Sequence, residues 1–324
     1  MITDRQNDAI NNILFNCGNL NAQDRLLILC DISTRPLAEA FAIRAKRTNS
    51  ETTLMEIPTL LNHGAEPPRF AAEAMCRFTL ILSLCRYSLA HSSARAVSAS
   101  MGARFLSLPL YDWKLLEDDC LHIDYMAQAW RVRLFADAFT RGNVVHVTTA
   151  AGTDIRLGIA GRVGNYCPGF VKVAGDLGSP PDIEANVSPI EDSGEGIVVV
   201  DGSITMPGFG LLHDPVELEV HLGRVIAFRS VNSNYIRQLD ALFGEIDSPR
   251  RVVAECGVGL NPAAKLTGTM LTDEGALGCV HFGLGANHTM GGLNKVDFHL
   301  DFVFREASVA VDGQQLLSLG VPLL

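Results

Sequence analysis

The short segment of residues 280–304, VHFGLGANHTMGGLNKVDFHLDFVF, contains three histidines, His281, His288 and His299, and Asp301 two residues after the last of them. Imidazole and carboxylate groups together bind metals such as zinc, manganese, cobalt or iron. In a β-strand, residues two positions apart face the same side of the sheet. FHLDFVF therefore directs His299 and Asp301 to one side and the alternating apolar residues toward the core. This spacing indicates a metal site on a sheet.

Two glutamates earlier in the chain add candidate ligands. Glu184 lies in PPDIEANVSPIEDSGEG, and Glu255 interrupts the apolar run VVAECGVGLNP. A buried carboxylate is costly without a cation or several hydrogen bonds. Taken alone, Glu255 could face solvent on an edge strand, and His281 could be a hydrogen-bonded core histidine. A further carboxylate, Asp297 or Glu274, could orient a ligand. The joint occurrence of these residues favours a metal site.

Two more histidines each follow an apolar segment in the first third of the chain. They are His63 in LLNHGAEPP and His91 in SLAHSSAR. In open α/β sheets, ligands bind beyond the carboxyl ends of the strands. His63 and His91 could therefore act on a substrate as catalytic groups, or they could be loop histidines in solvent.

The composition is that of an ordinary globular protein, with 324 residues of which 48% are hydrophobic and 19% charged. The length suggests two domains. The net charge of −10, without any basic run, argues against nucleic acid as a partner. Eight scattered cysteines with no CxxC pair favour reduced thiols over disulfides. Since there is no signal-peptide core and TLILSLC is too short to span a bilayer, we expect a cytoplasmic protein without membrane contact.

The first predicted domain, residues 1–120, alternates helices and strands, which is typical of an α/β domain with a parallel sheet. Thr3 is expected to cap a helix over residues 3–16. Helices are also expected over residues 36–48, up to about residue 76, and near residues 92–101. The predicted strands are RLLILCD, TTLMEIP, FTLILSL and ARFLSLP. Because neither GxGxxG nor GxxxxGKS/T follows the first strand, nucleotide binding is not expected.

A long amphipathic helix is predicted over residues 121–142; it ends at Gly142 and connects the domains. After this helix the residue pattern changes. Over residues 143–324, short β runs are separated by Gly, Asp and Pro. This pattern predicts a mainly β (α+β), metal-binding catalytic domain with antiparallel hairpins and one helix near residues 235–244. VHLGRVIAF indicates a tight turn at Gly223.

From about residue 180 to residue 304, the chain resembles the aminopeptidase T family of dinuclear metalloaminopeptidases. PPDIEANVSPIEDSGEG, AECGVGLNPAA, CVHFGLG and FHLDFVF are similar to the segments that carry that family's metal ligands. Asn186 stands where the family has an aromatic residue. The resemblance implies a dinuclear site of zinc, cobalt or manganese, and a homodimer. The metal ligands that it implies are Glu184, Glu255, His281, His299 and Asp301.

The same resemblance implies a metal-dependent hydrolase of aminopeptidase type. Its metals would activate water against an amide of a small amino-bearing substrate or a short peptide. Where the family has a tyrosine seven residues after the ligand histidine, this chain has His288. His288 could be a further ligand, an acid–base catalytic group or a donor to the substrate.

The β-rich domain also resembles the 2,5-dihydroxypyridine 5,6-dioxygenases, which open a pyridine ring with one non-haem Fe(II) held by two histidines and an aspartate. His299 and Asp301 match one such pair, and these enzymes have a first-domain histidine in a setting like that of His91. Glu255 stands where they have the other ligand histidine, so His281 would have to complete the triad. A ring-cleaving dioxygenase is therefore the alternative to the hydrolase. Another metal-assisted reaction and a non-catalytic metal-binding protein are further alternatives.

Overall fold

The structure, a computed structural model, describes residues 2–48, 51–206 and 208–323. The chain divides into two compact units. The first unit comprises the residues up to Ala127 together with Pro168–Pro181, and the second comprises Gln128–Cys167 together with the residues from Asp182 onward. The predicted domain boundaries at residues 120 and 142 stay a prediction.

The described residues form seven α-helices, which are α1 (Asp4–Asn11), α2 (Arg35–Ala45), α3 (Arg69–Met75), α4 (Ser93–Ser100), α5 (Tyr125–Arg141), α6 (Ser233–Phe243) and α7 (Met270–Glu274). Thr3 caps α1, since its hydroxyl accepts from the Gln6 amide at 3.1 Å and Gln6 Oε1 accepts from the Thr3 amide at 3.0 Å. A π-helix, Asn12–Cys17, continues α1. None of these helices combines the length and the hydropathy that a membrane span requires.

Twenty strands are seen in the same part of the chain. Those before Leu211 are β1 (Arg25–Cys30), β2 (Glu51–Glu56), β3 (Leu80–Ser83), β4 (Arg104–Ser107), β5 (Val144–Thr148), β6 (Asp154–Gly158), β7 (Asn165–Cys167), β8 (Leu177–Gly178), β9 (Glu184–Val187), β10 (Glu195–Val200), β11 (Ser203–Ile204) and β12 (Gly210–Leu211). The later ones are β13 (Val216–His221), β14 (Arg224–Arg229), β15 (Val253–Gly259), β16 (Val280–Gly285), β17 (His299–Phe304), β18 (Ser308–Val311), β19 (Gln314–Ser318) and β20 (Val321–Pro322).

The first unit contains a five-stranded sheet with the order β2-β1-β3-β4-β8, and all its strand pairs are parallel. Strands β3 and β4 are buried along their whole length, and β1 is buried after its first residue. Leu27, Ile81 and Phe105 lie together in the core beside this sheet. Continuous apolar runs of this kind are what a parallel sheet with both faces covered requires. The predicted α/β region with a parallel sheet is confirmed.

The second unit is built from two antiparallel sheets. One has eight strands in the order β14-β13-β10-β6-β5-β18-β19-β20, and the other has seven in the order β12-β11-β17-β16-β15-β9-β7. The β13–β14 hairpin turns at Leu222 (φ 46°) and Gly223 (φ 70°), as the sequence predicts, because positive φ at both turn residues matches the twist of the strands. Helix α7 was not predicted, since five residues are too few to show a helical period.

A buried ion pair in the first unit joins β4 to the residue before β1. Arg104 Nη2 lies 2.5 Å from Asp24 Oδ1, and neither side chain is more than 8% exposed. Arg104 Nη1 also donates to the carbonyls of Gly18 at 3.0 Å and Asn19 at 3.1 Å. Burial by itself raises the pKa of the Asp24 carboxyl, but hydrogen bonds led by that from Arg104 hold the pKa below its usual value.

Arg104→Met is expected to lower the free energy of unfolding by about 3–5 kcal/mol, because it leaves the Asp24 carboxylate buried without its cation. Arg229→Met is the control, since Arg229 pairs with Glu217 and Glu219 on the surface and exposed pairs contribute about 0–1 kcal/mol. Urea unfolding followed by circular dichroism measures both variants. Equal losses in the two would contradict the structural role of the buried pair.

Candidate metal centre

Four neighbouring strands of the seven-stranded sheet, β17, β16, β15 and β9, carry the five candidate ligands. Each candidate ligand lies opposite a glycine of an adjacent strand. The pairs are Glu184–Gly259, Glu255–Gly283, His281–Gly257, His299–Gly285 and Asp301–Gly283. The sheet thus brings together all five residues that the sequence predicts as metal ligands, from segments that lie far apart along the chain.

The ligand atoms fall into two clusters, within each of which all atoms lie within 4.8 Å of one another. The inner cluster comprises Glu184, Glu255 and His281, and the outer cluster comprises Glu255, His299 and Asp301. Glu255 belongs to both, since its Oε1 lies 3.8 Å from His281 Nε2 and its Oε2 lies 3.1 Å from His299 Nε2. One carboxylate therefore faces both imidazoles.

The two clusters differ in exposure. The inner side chains are at most 9% exposed, whereas the His299 side chain keeps 29% of its surface exposed. Neither cluster contains both histidines. As arranged among the described residues, the site therefore offers two sets of one histidine and two carboxylates, and the outer set is the more accessible.

Opposite charges dominate the electrostatics of the clusters. Burial by itself lowers the pKa of His281, but Glu184 and Glu255 outweigh it and raise that pKa well above its usual value. Asp301 and Glu255 do the same for the pKa of His299. Burial raises the pKa of Glu255, but hydrogen bonds from the two imidazoles hold it well below its usual value. Because metal ligation needs neutral imidazole, protons compete with a cation here.

Two further carboxyl groups, those of Asp182 and Glu274, lie within electrostatic range of the clusters. Burial raises the pKa of both carboxyls well above the usual value. The negative charge of Glu184 raises the pKa of Asp182 further, and that of Asp301 does so for Glu274. Asp182 Oδ1 and Glu274 Oε1 are buried without a hydrogen-bond partner among the described residues, and so is His281 Nδ1. Buried polar atoms that lack partners are costly. This excess of buried carboxylate fits a bound cation.

Sequence reasoning overlooked Asp182, although its position two residues before Glu184 gives a signal. Residues two apart on an extended segment face the same side, so the DIE spacing could have suggested a second carboxylate beside the ligand. Glu274, considered as an orienting carboxylate, is half-buried with its Oε1 enclosed, whereas Asp297 is exposed.

Two glycines make room for the imidazoles. A Cβ atom on Gly257 would lie 2.1 Å from His281 Nε2, and a Cβ atom on Gly283 would lie 2.5 Å from His299 Nε2. Real Cβ atoms do not approach other atoms so closely. The imidazoles thus lie across these glycine positions, which form the floor of the site.

Neighbouring polar groups orient the ligands at either side of the site. The carbonyl of Ala286 accepts a hydrogen bond from His299 Nδ1 at 2.8 Å, which leaves Nε2 for the outer cluster. The Asn186 amide donates to Glu184 Oε1 at 2.6 Å and accepts from Asn165 Nδ2 at 2.7 Å. Such partners fix the direction of metal ligands.

The three histidines predicted to be catalytic lie outside the two ligand clusters. His288 is exposed in the loop between β16 and β17. His63 and His91 belong to the first unit, where His63 Nδ1 accepts from the Ser88 amide at 3.2 Å and the His63 ring meets Tyr87 edge-on at 5.2 Å. His91 is exposed. Catalytic roles for these histidines stay predictions.

Gly257→Ala and Gly283→Ala are expected to displace an imidazole and weaken metal binding by about 10–100-fold, as loss of ligand orientation does. The imidazole is the movable end of a side chain, so the fold should survive. Gly259→Ala is the contrasting variant on β15, because its Cβ would meet the immobile backbone carbonyl of Ala276 at 2.3 Å. That change should chiefly lower the melting temperature. Metal titration and thermal melting measure the two effects, and unchanged metal affinity in both imidazole variants would contradict the proposed floor.

The sequence matches the family model described as NicX, 2,5-dihydroxypyridine 5,6-dioxygenase, over residues 11–323. No curated protein sequence matches the chain. The family match spans both units and includes all five candidate ligands.

Two solved structures share the fold. The 2,5-dihydroxypyridine dioxygenase from Pseudomonas putida KT2440 has a TM-score of 0.80 and 20% sequence identity, over 98% of this chain and 96% of that chain. Wild-type AmpT, an aminopeptidase T, from Thermus thermophilus has a TM-score of 0.69 and 14% identity, over 99% of both chains. At these identities the similarity shows the fold alone. Both resemblances seen in the sequence are confirmed at that level.

The family match supports an enzyme and favours the dioxygenase over the hydrolase. The two ligand clusters suggest a metal cofactor. The match leaves out only the first ten residues and the last one. The chain belongs to the 2,5-dihydroxypyridine 5,6-dioxygenase family.

Proposed function

We propose that this chain is a metal-dependent dioxygenase that opens the ring of a dihydroxypyridine-like aromatic substrate. The family match over residues 11–323 carries the proposal, and the similarity of fold to the Pseudomonas putida dioxygenase supports it. The outer cluster suits this chemistry, because its partly exposed His299 gives a small aromatic molecule access to the site. A homodimer, which the sequence resemblance implies, stays a prediction.

The outer cluster would hold a single metal ion through Glu255, His299 and Asp301. A non-haem metal bound there would supply the activation of dioxygen. The carbonyl of Ala286 holds the imidazole of His299 in place through Nδ1. In the inner cluster, His281 Nε2 lies 3.1 Å from Glu184 Oε2. A positive charge on His281 would offset the carboxylates on either side of it.

The ligand set departs from the triad that is usual for non-haem Fe(II) oxygenases. Two histidines and one carboxylate are typical of that triad, whereas the outer cluster has one histidine and two carboxylates. Carboxylate oxygens also suit Mn²⁺. We therefore propose Fe²⁺ or Mn²⁺ as the cofactor.

Metal-depleted protein that is reloaded with Fe²⁺ or Mn²⁺ is expected to consume oxygen when 2,5-dihydroxypyridine is added. An oxygen electrode and the loss of the ring's ultraviolet absorbance follow the reaction. His299→Ala and Asp301→Ala should abolish it, because each removes an outer ligand. Asp297→Asn is the control, since Asp297 is exposed on the same segment and lies outside both clusters. Absence of oxygen uptake with both metals would overturn the proposal.

A two-metal hydrolase is the second candidate, and the sharing of Glu255 between the clusters favours it. One oxygen of Glu255 faces each histidine, as a bridging carboxylate between two ions would. Five surrounding carboxylates also balance the charge of two divalent ions better than that of one. Two adjacent metals can activate water and clamp a carbonyl oxygen. Hydrolysis of amino-acid amides with Zn²⁺, Co²⁺ or Mn²⁺ would support this candidate.

Glu184→Gln distinguishes the two candidates by metal content. Glu184 belongs to the inner cluster alone. A one-metal dioxygenase should therefore keep its single equivalent of metal in this variant, whereas a two-metal hydrolase should lose one of its two equivalents. Elemental analysis after gel filtration measures the content, with Glu217→Gln on the surface as the control. A fall from two equivalents to one would contradict the one-metal proposal.

A further inference from the structure

The loop of residues 286–298, which joins β16 to β17, begins and ends beside one candidate ligand. Ala286 donates its amide to the carbonyl of Phe298 at 2.8 Å, and its own carbonyl accepts from His299 Nδ1 at 2.8 Å. This contact leaves His299 Nε2 at 3.1 Å from Glu255 Oε2. The position of the Ala286 carbonyl therefore sets the direction of the imidazole.

The carboxylate of Glu191 binds residues on both sides of the tip of this loop. Glu191 Oε1 accepts from Asn287 Nδ2 at 2.9 Å and from the Leu293 amide at 2.6 Å. Arg162 Nη2 donates to Glu191 Oε2 at 2.5 Å, and Arg162 Nη1 donates to the carbonyl of Gly291. The tip, which carries His288, is thus held by a carboxylate and its guanidinium partner.

Asn287 transmits this hold to Ala286. It is fully buried. The backbone amide of Asn287 donates to the carbonyl of Asn294 at 3.1 Å, and Asn287 Oδ1 accepts from the backbone amide of Asn294 at 2.8 Å. Its carbonyl accepts from the amides of Met290 and Gly292, both at 2.9 Å. Because Asn287 is bonded directly to Ala286, these contacts fix the peptide group that holds His299.

The carboxylate of Glu191 and the guanidinium of Arg162 strengthen the hydrogen bonds that hold the loop. The Glu191 and Arg162 side chains are only 22% and 11% exposed. Burial by itself raises the pKa of Glu191, but the Leu293 amide and Asn287 outweigh it and hold the pKa below its usual value. Hydrogen bonds to an ionised carboxylate are shorter and stronger than those between neutral groups.

The same loop is also tied to the inner cluster. The carbonyl of Met290 accepts from Asn165 Nδ2 at 3.5 Å, and Asn165 in turn donates to Asn186 at 2.7 Å. Asn186 donates to Glu184 Oε1 at 2.6 Å. A displacement of the loop would therefore reach a ligand of each cluster.

We propose that Glu191 is a positioning residue that sets the carbonyl of Ala286 by holding Asn287 and Leu293, and thereby directs the imidazole of His299 into the metal centre. This role rests on the proposed metal site, and it serves the dioxygenase and the hydrolase equally. Glu191 belongs to neither cluster, so its effect passes through the loop.

Glu191→Leu is expected to weaken Co²⁺ binding to the metal-depleted full-length protein by about 10–100-fold, the range for loss of an orienting contact. The visible absorption spectrum of the bound cobalt should also change, because His299 no longer points in one direction. Hydrogen exchange at the Leu293 amide should accelerate. Glu191→Gln keeps an acceptor oxygen for Asn287 and Leu293, so it should retain most of the affinity.

Glu195→Leu is the matched control. Like Glu191, Glu195 accepts a hydrogen bond from a backbone amide, that of Leu222 at 2.9 Å, and it also contacts His221 at 3.0 Å. Both partners lie on the β13–β14 hairpin. Its removal should leave cobalt affinity and spectrum unchanged. Faster exchange at Leu293 together with wild-type cobalt affinity and spectrum in Glu191→Leu would overturn the positioning role.

Two outcomes separate this role from the proposed function. If the wild-type protein binds no cobalt, iron or manganese, the metal-dependent function itself fails. If the wild-type protein binds metal and Glu191→Leu binds it equally well, only the positioning role fails. Should Glu191→Leu not fold, Arg162→Met provides the same test, because it removes the guanidinium that holds Glu191 and Gly291.

Discussion

The crowding of carboxyl groups around two histidines is the constraint that shapes the candidate metal centre. The carboxyl groups are those of Asp182, Glu184, Glu255, Glu274 and Asp301, and the imidazoles of His281 and His299 lie among them. Charges at such distances interact strongly where water is excluded. The protein tolerates this arrangement only if a cation, or protons in its place, balances the charge. A cation bound at these side chains would therefore add to the stability of the fold.

The seven-stranded sheet meets this constraint by pairing every candidate ligand with a glycine. Glycine inside a strand weakens the strand, since it adds conformational entropy to the unfolded chain and offers no side chain to pack. Here the space above Gly257 and Gly283 is filled by the imidazoles of His281 and His299. The sheet thus gives up local stability at these positions so that side chains from four strands can converge.

Family membership and local geometry describe this site at different levels. The family match covers the chain almost from end to end and favours a dioxygenase over a hydrolase. The ligands themselves form two clusters joined by Glu255, an arrangement that could also accommodate two ions. Both views share the outer cluster and the loop that orients His299. Substrate chemistry on a given fold is decided by such details of the site rather than by the fold.

The sequence by itself determined the alternating parallel region, the antiparallel hairpins and the five candidate ligands, because strand period and motif spacing are local properties. His299 and Asp301 share a face simply because they are two residues apart. Only the tertiary structure decided that Glu255 belongs to both clusters. It also decided that Glu191 accepts hydrogen bonds from Asn287 and Leu293, which lie 96 and 102 residues further along the chain. Those contacts depend on which strands become neighbours and in what register. Strand order and register are set by the packing of the whole sheet, which no single segment encodes.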